Sequence, residues 1–339
     1  NIYYLFLGMV VAICCVSCNN EWEDEQYLHM ASFKANVNAQ GVTTTYVRYK
    51  PGGVVQYKLP IIISGSTVSD RPLNIQIALD PDTLAVLNQN VYGHRQELYF
   101  QQLPNQYYNM SETVEIPAGE TTGVLPIDFK LTEDLDQADK WVLPLQIVDD
   151  PSLGYKANPR KYFRRAMLRL LPFNDYSGTY DAAQYLIHFK TDVDNKEPFT
   201  VSEQRAFVVD DRTVFIYAGT RDIDYLDRKL YKIFIRFPEE GNDTKQLEVW
   251  AENDELNFGP LTDADGKPLA FQSNFSMYSE MDELKPYLKK IFITMNLYYE
   301  FDDYTTVPGK RIRYKVQGSL SMQRNLNTLI PDEDQQVQW

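Results

Sequence analysis

Cys15 and Cys18 form a C-x-x-C, a spacing that carries thiol–disulfide exchange when it sits in a βαβ setting. No such setting surrounds it here. Residues Ile2 to Val16 are almost wholly apolar, and no charged residue precedes Glu21. With Cys14 these are the only cysteines in the chain, so a disulfide framework or a cysteine metal site is not expected in the folded body. Histidine is as scarce: only His29, His94 and His188 occur, and H-E-x-x-H is absent, so a histidine metal centre is not expected either. The G-x-S-x-G elbow, the P-loop and G-x-G-x-x-G are all missing, and Ser64-Gly65-Ser66 reads as a turn. No cofactor is expected.

Carboxylates need a separate argument, because a glycosidase requires only two of them at a set separation. Among 47 acidic residues some pair will always lie close. The clusters Glu252-Asn253-Asp254-Glu255 and Asp302-Asp303 fall in loop-like sequence and read as solvated acidic loops. Sugar binding asks for less: an aromatic face for the apolar side of a ring, and amides or carboxylates for its hydroxyls. Trp250 shares a strand face with Gln246, Glu248 and Glu252, opposite Leu247, Val249 and Ala251. That makes it a candidate glycan contact, against the alternative of packing at a sheet edge. Tyr225, in Arg221-Asp222-Ile223-Asp224-Tyr225-Leu226-Asp227, and Tyr304, in Phe301-Asp302-Asp303-Tyr304-Thr305-Thr306, are the other two candidates. Tyr107 and Tyr108 read as domain packing and Trp141 as core. The net charge of −14 argues against nucleic acid as a partner and against docking on anionic lipid.

The elements that must position these residues are strands. Hydrophobic residues make up 44% of the chain and charged residues 24%, as in a globular protein, and 24 Tyr with 17 Phe lean towards β structure. Leu73 to Leu79 alternates apolar and polar residues, the period of a half-buried strand. Val54 to Ser64 is a second candidate, and Pro60 within it predicts an edge or a bulge. Further strands are expected at Glu112–Ile116, Thr122–Phe129, Trp141–Val148 and Phe163–Leu171. A helical turn or two is expected at Asp80 to Leu87, with Asp80 capping it and Pro81 at its first position. Beyond Pro172-Phe173-Asn174-Asp175, a second series comprises Gly178-Thr179-Tyr180, Arg205–Asp210, Thr213–Ala218, Leu230–Phe237, Gln246–Glu252 and Ile291–Phe301. It ends in the long alternating run Arg311 to Gln323. Met281 to Lys290 is expected to be helical.

The apolar segment before Cys18 is too short to span a bilayer but suits a signal-peptide core. Because the sequence begins at Asn1 rather than Met, a basic leader is expected upstream. Ser17-Cys18 closes the segment in a pattern that resembles a lipobox, so Cys18 is expected to be lipidated. The expected layout is a lipoprotein signal peptide at 1–17, an acidic tether at 18–26, a β-sandwich at 27–173, a β-rich domain at 174–330 and an acidic tail at 331–339.

Several groups of residues resemble a known family. They are Ile63-Ser64-Gly65-Ser66, Tyr99-x-x-x-Leu103-Pro104-x-x-Tyr107-Tyr108, Ile116-Pro117-Ala118-Gly119 and Val142-Leu143-Pro144-Leu145-Gln146-Ile147. Together they resemble the immunoglobulin-like N-terminal domain of unknown function found in Bacteroidetes surface lipoproteins. From Tyr176-Ser177-Gly178-Thr179-Tyr180 onward the chain is similar to the β-rich domain paired with it. The acidic run Glu21, Glu23, Asp24, Glu25 resembles the export signal of such lipoproteins, and Asp82-Thr83-Leu84 their O-glycosylation motif. The resemblance implies an all-β protein, an immunoglobulin-like β-sandwich followed by a second antiparallel sandwich or barrel-like domain. It also implies a lipid-anchored outer-membrane location facing the exterior, in a polysaccharide-utilisation system with a transporter complex and glycoside hydrolases. The expected function is non-catalytic capture of a polysaccharide or oligosaccharide. The alternatives are a structural or adhesin-like subunit binding protein partners, and a glycoside hydrolase. The D-x-x-D-x-D-x-E strand end of the chitinase-type barrel attached to some relatives is absent.

Overall fold

A computed structural model describes residues 29–331, apart from 51, 133, 191–196, 240, 242 and 243. The segments expected to be a signal peptide and an acidic tether, with Cys18, and the expected acidic tail after Pro331 lie outside the described residues. The expected all-β architecture is what the chain adopts. Strands β1 (His29–Phe33), β2 (Thr43–Arg48), β3 (Val54–Ser64), β4 (Leu73–Leu79), β5 (Gln101–Gln102) and β6 (Tyr108–Met110) open it. They are followed by β7 (Thr113–Ile116), β8 (Thr122–Lys130), β9 (Trp141–Ile147), β10 (Tyr155–Ala157) and β11 (Arg165–Phe173). One sheet runs β10-β1-β3-β8-β6 and the other β2-β11-β9-β4-β7. Inward residues of both, such as Leu59, Ile61, Leu143 and Leu145, are fully buried in one shared core, which makes this half a β-sandwich.

Pro60 does not mark an edge strand: β3 runs between β1 and β8. The correction has a simple cause. The Pro60 carbonyl accepts from Lys34 N at 2.9 Å, just past the end of β1, so the missing N–H points where no β1 carbonyl remains to receive it. The helix expected after Asp80 is longer than a turn or two, running Pro81–Tyr92, with the Asp80 carboxylate accepting from Thr83 N.

The second half comprises β12 (Gly178–Phe189), β13 (Glu203–Val208), β14 (Thr213–Tyr217), β15 (Lys232–Arg236), β16 (Glu248–Trp250), β17 (Asn274–Met281), β18 (Leu288–Asp303) and β19 (Ile312–Asn327). They form one sheet in the order β16-β15-β14-β13-β12-β19-β18-β17. The sheet curls until its edges meet. Leu247 N donates to Ser273 O and Phe275 N to Lys245 O, each at 2.9 Å, around a Gln246–Asn274 bridge. The result is a barrel filled with side chains, including Tyr185, Ile216, Ile233, Leu297 and Tyr299.

A bulge lets β12 follow that curve. Pairing with β19 shifts between Asp181 and Gln184, and the inward set changes from Tyr180 and Ala182 to Tyr185 and Ile187. Opposite it, Gly318 has φ +137°, and a Cβ there would lie 1.8 Å from the Gln184 carbonyl oxygen. Only glycine fits. Met281 to Lys290 is not helical; it comprises the end of β17, a turn and the start of β18, with the turn closed by Asp282 accepting from Leu284 N and Lys285 N.

The four residues joining the halves are pinned. Asn174 and Ser177 are buried, and Arg324 of β19 donates to both their carbonyls at 2.7 and 2.6 Å. Val208 of β13 packs into the sandwich core, so the two halves share apolar contact as well as chain.

Candidate binding site

The barrel opens beside the ends of β14 and β18. After β14 the chain turns at Gly219, φ +65°, so close to the barrel interior that a Cβ would lie 2.9 Å from Cζ of Phe301. This turn delivers Arg221, whose side chain is 5% exposed, with its guanidinium 3.4 Å above the ring of Tyr231. Its Nη2 lies 3.1 Å from Asp303 Oδ1 and 3.2 Å from Asp227 Oδ2, and donates to the hydroxyls of Thr305 and Thr306.

Asp303 ends β18 and closes the following turn. It accepts from Thr305 N, Thr306 N, the Thr306 hydroxyl and the Tyr231 hydroxyl. Burial pushes its carboxyl up, but the hydrogen bonds from Thr306 and the Arg221 charge outweigh that and hold it below the usual carboxylate range. A buried carboxylate kept ionised in this way is a poor general acid, which must hold its proton near neutral pH.

Beside this polar floor is a pocket of ≈180 Å³. Its apolar side is Ile187, Phe301 and Tyr314, and its rim carries Tyr225 and Phe199, which are 43% and 42% exposed. The panel is stiff: Tyr314 stacks on Phe301 at 5.4 Å, and Phe189 braces both Tyr314 and Phe199. Arg221, Asp303 and Thr306 reach the same space. The volume lies below the roughly 300–1,000 Å³ of a drug-sized site, so it admits one small ring rather than an extended ligand. Aromatic walls beside a charge-balanced hydrogen-bonding floor suit a polyhydroxylated, uncharged ring.

The structure brings one of the three aromatic candidates into this pocket: Tyr225. Tyr304 stands behind the wall. Its ring lies 5.7 Å from that of Tyr231 at 25°, and its hydroxyl accepts from Asn253 Nδ2 at 2.9 Å. It touches the site through Tyr231. Trp250 faces the other way, in an aromatic stripe on the outer wall of the barrel, 5.4 Å from Phe234 with the Arg236 guanidinium 4.9 Å from its ring. Asp302 and Asp303, expected in a solvated loop, are both buried; Arg313 of the adjacent strand β19 pairs with Asp302, and Arg221, from far along the chain, with Asp303. Arg221, Phe301 and Thr306 lie within the stretches that supplied Tyr225 and Tyr304, yet only the fold distinguishes them. Among the described residues no three His, Cys, Asp or Glu side chains gather as metal ligands.

Residues 22–151 match the model of a domain of unknown function, DUF4973, and residues 164–321 match that of a C-terminal domain. A Bacteroides ovatus protein of unknown function is 38% identical with a TM-score of 0.78, over 91% of this chain and 100% of its own. A multidomain protein of that organism that includes DUF1735 matches at 38% and 0.78, over 93% and 100%. A Bacteroides thetaiotaomicron protein described as an auxiliary nutrient binding protein matches at 35% and 0.77, over 90% and 100%. The chain belongs to this family of two-domain Bacteroides proteins. The pocket-bearing barrel lies within the shared length. No curated protein matches the chain.

Proposed function

We propose that this protein captures a glycan without cleaving it, by taking one uncharged sugar ring into the mouth of its C-terminal barrel. The observation that carries the proposal is the pocket itself: the Phe301–Tyr314 panel and Tyr225 on one side, the Arg221–Asp303–Thr306 floor on the other. Tyr225 stacks on the ring, and Tyr304 supports the floor through Tyr231. Trp250 is a contact only for a longer chain running over the outer wall. The 35% identity to an auxiliary nutrient binding protein supports a binding role, and Asp303 is the one carboxylate among the residues lining the pocket, where a glycosidase uses two. Because Asp303 and Asp227 already neutralise Arg221, the site favours neutral sugars over uronic or sulfated ones.

The sandwich then acts as a spacer, and Cys18 as the lipid anchor that holds the body at the outer membrane, facing the exterior. From there it hands glycan to an outer-membrane transporter complex. Titration calorimetry of the full chain in detergent against neutral and acidic oligosaccharides tests the capture. Binding confined to neutral members supports it, and binding to none sinks it. Palmitate labelling of cells tests the anchor, with loss of label in Cys18→Ser as the expected result.

A further inference from the structure

Arg221 and Tyr225 belong to one excursion of the chain, from Gly219 to Tyr231, between β14 and β15. Its own internal bonds are short-range: Asp224 N to Asp222 Oδ1 at 2.7 Å, Tyr225 N to Asp222 O at 3.3 Å, Arg228 N to Tyr225 O at 3.4 Å, Leu230 N to Asp227 O at 2.9 Å, the Arg221–Asp227 pair and a bond from the Arg228 side chain to Tyr225 O. Its other side rests on the N-terminal sandwich, through two buried cations.

Arg228 is 3% exposed and has no carboxylate among its hydrogen-bond acceptors. Its Nε and Nη2 donate to Ala138 O at 3.1 and 2.9 Å, and Nη2 also to Glu97 O at 3.0 Å. Its Nη1 donates to Tyr225 O at 3.1 Å. One planar guanidinium therefore ties two stretches of the sandwich to the main chain of the residue at the pocket rim. Lys140 works from the opposite direction. It sits in the left-handed region, φ 55°, with its side chain 1% exposed. Its Nζ lies 2.7 Å from Asp224 Oδ1 and 4.7 Å from the centre of the Tyr92 ring. Burial pulls the ammonium down, and Asp224 partly restores it. Lys229 and Lys232 add pairs to Asp139 and Asp136. All of these sandwich acceptors except Glu97 fall in one stretch, residues 136–140.

We infer that the sugar site is shared between the two halves: Lys140 and Arg228 are positioning residues that hold the 219–228 loop in its binding geometry, so that sugar binding and seating of the loop on the sandwich are coupled. This rests on reading the barrel mouth as the sugar site. A coupling between two equilibria is reciprocal. Whatever affinity the sandwich lends to the sugar, the sugar returns as tighter seating of the loop on residues 136–140.

The test uses the full chain and two readouts. Amide hydrogen exchange reports whether the loop is seated, with or without a ligand that binds. Calorimetry with a neutral oligosaccharide reports affinity. In Lys140→Met, which keeps the stem and loses the charge, protection of residues 219–228 is expected to fall at least ten-fold while β18 and β19 keep theirs, and Kd to rise about ten-fold. Sugar added to the unaltered chain is expected to raise protection at both 219–228 and 136–140. Asp224→Asn, at a carboxylate 55% exposed, repeats the effect more weakly and carries both readouts if Lys140→Met does not fold. Loop protection unchanged in the variant that folds overturns the inference. So does lost protection with unchanged Kd, since a purely structural clamp would lower the melting temperature alone. If no oligosaccharide binds the unaltered chain, the sugar reading has failed, and the exchange result still decides whether the sandwich seats the loop.

Discussion

Glu300 and Asp303 stand at the same end of β18, and both are carboxylates shut away from water. Strand alternation sends them to opposite sides of the wall. Glu300 points outward, where the 259–262 segment pairs with it and covers it. Lys190, Arg313 and Thr262 use up its oxygens. Burial pushes its carboxyl up, yet Lys190 and Thr262 pull it further down, below the usual range. Asp303 points inward and is as well satisfied, by Arg221, Thr306 and Tyr231. The electrostatics of the two are alike. What differs is that a space of ≈180 Å³ adjoins Asp303, whereas Glu300 lies 1% exposed beneath the 259–262 segment. A perturbed buried charge marks a staple as readily as a site, and the neighbouring space tells them apart.

Separating stability from affinity is the sharpest way to break that comparison. Glu300→Ala leaves Lys190 and Arg313 without their shared anion, and a loss of about 3 kcal/mol is expected. Chemical denaturation measures it, while the sugar Kd stays within two-fold. A large change in Kd would make the outer cluster part of the site. Asp303→Asn keeps the shape and removes the charge, so about 1–3 kcal/mol of stability goes. Here Kd also rises ten-fold or more. Both carboxyls have depressed folded pKa values, so each contributes stability present above the unfolded value. That stability is lost as pH falls below about 4. In Asp303→Asn and Glu300→Ala the midpoint is expected to depend less on pH between about 5 and 2 than in the unaltered chain.

The strands of that wall were legible because alternation is local. Arg311 to Gln323 predicts the inward Val316, Leu320 and Met322 of β19, all of which are buried. Met281 to Lys290 misleads for the same reason. Met281, Leu284 and Leu288 have helical spacing, but Met281 and Leu284 are exposed at a hairpin end, so the spacing buries no common face. Local pattern also cannot reveal long-range pairing. Asp303 meets Arg221 from 82 positions away, and without that partner it reads as a surface acid. Tyr225 was legible as an aromatic with no core role. Phe301 and Tyr314 were not, because a pocket wall has the same apolar alternation as a core.

Two aromatic variants sharpen the contrast between the inner and outer sides of the wall. Tyr225→Ala removes an exposed ring that lines the pocket, so stability is expected to change by no more than about 0.5 kcal/mol. Kd is expected to rise about ten-fold, as for about 1.4 kcal/mol of stacking and apolar contact. An unchanged Kd by calorimetry would move the site elsewhere.

Trp250→Ala tests the opposite side and has the smallest expected effect on binding. The indole covers Phe234 and lies under Arg236 at the end of the short strand β16, so its loss exposes part of the outer stripe and costs about 1 kcal/mol. A ligand confined to the pocket does not reach that stripe, and a monosaccharide or disaccharide should bind the variant as tightly as the unaltered chain. The informative comparison is therefore with chain length. If Kd for a long oligosaccharide weakens several-fold while Kd for the short one holds, the glycan continues over the outer wall and Trp250 is a second contact. If both hold, the aromatic stripe only packs, and all the recognition is concentrated at the barrel mouth.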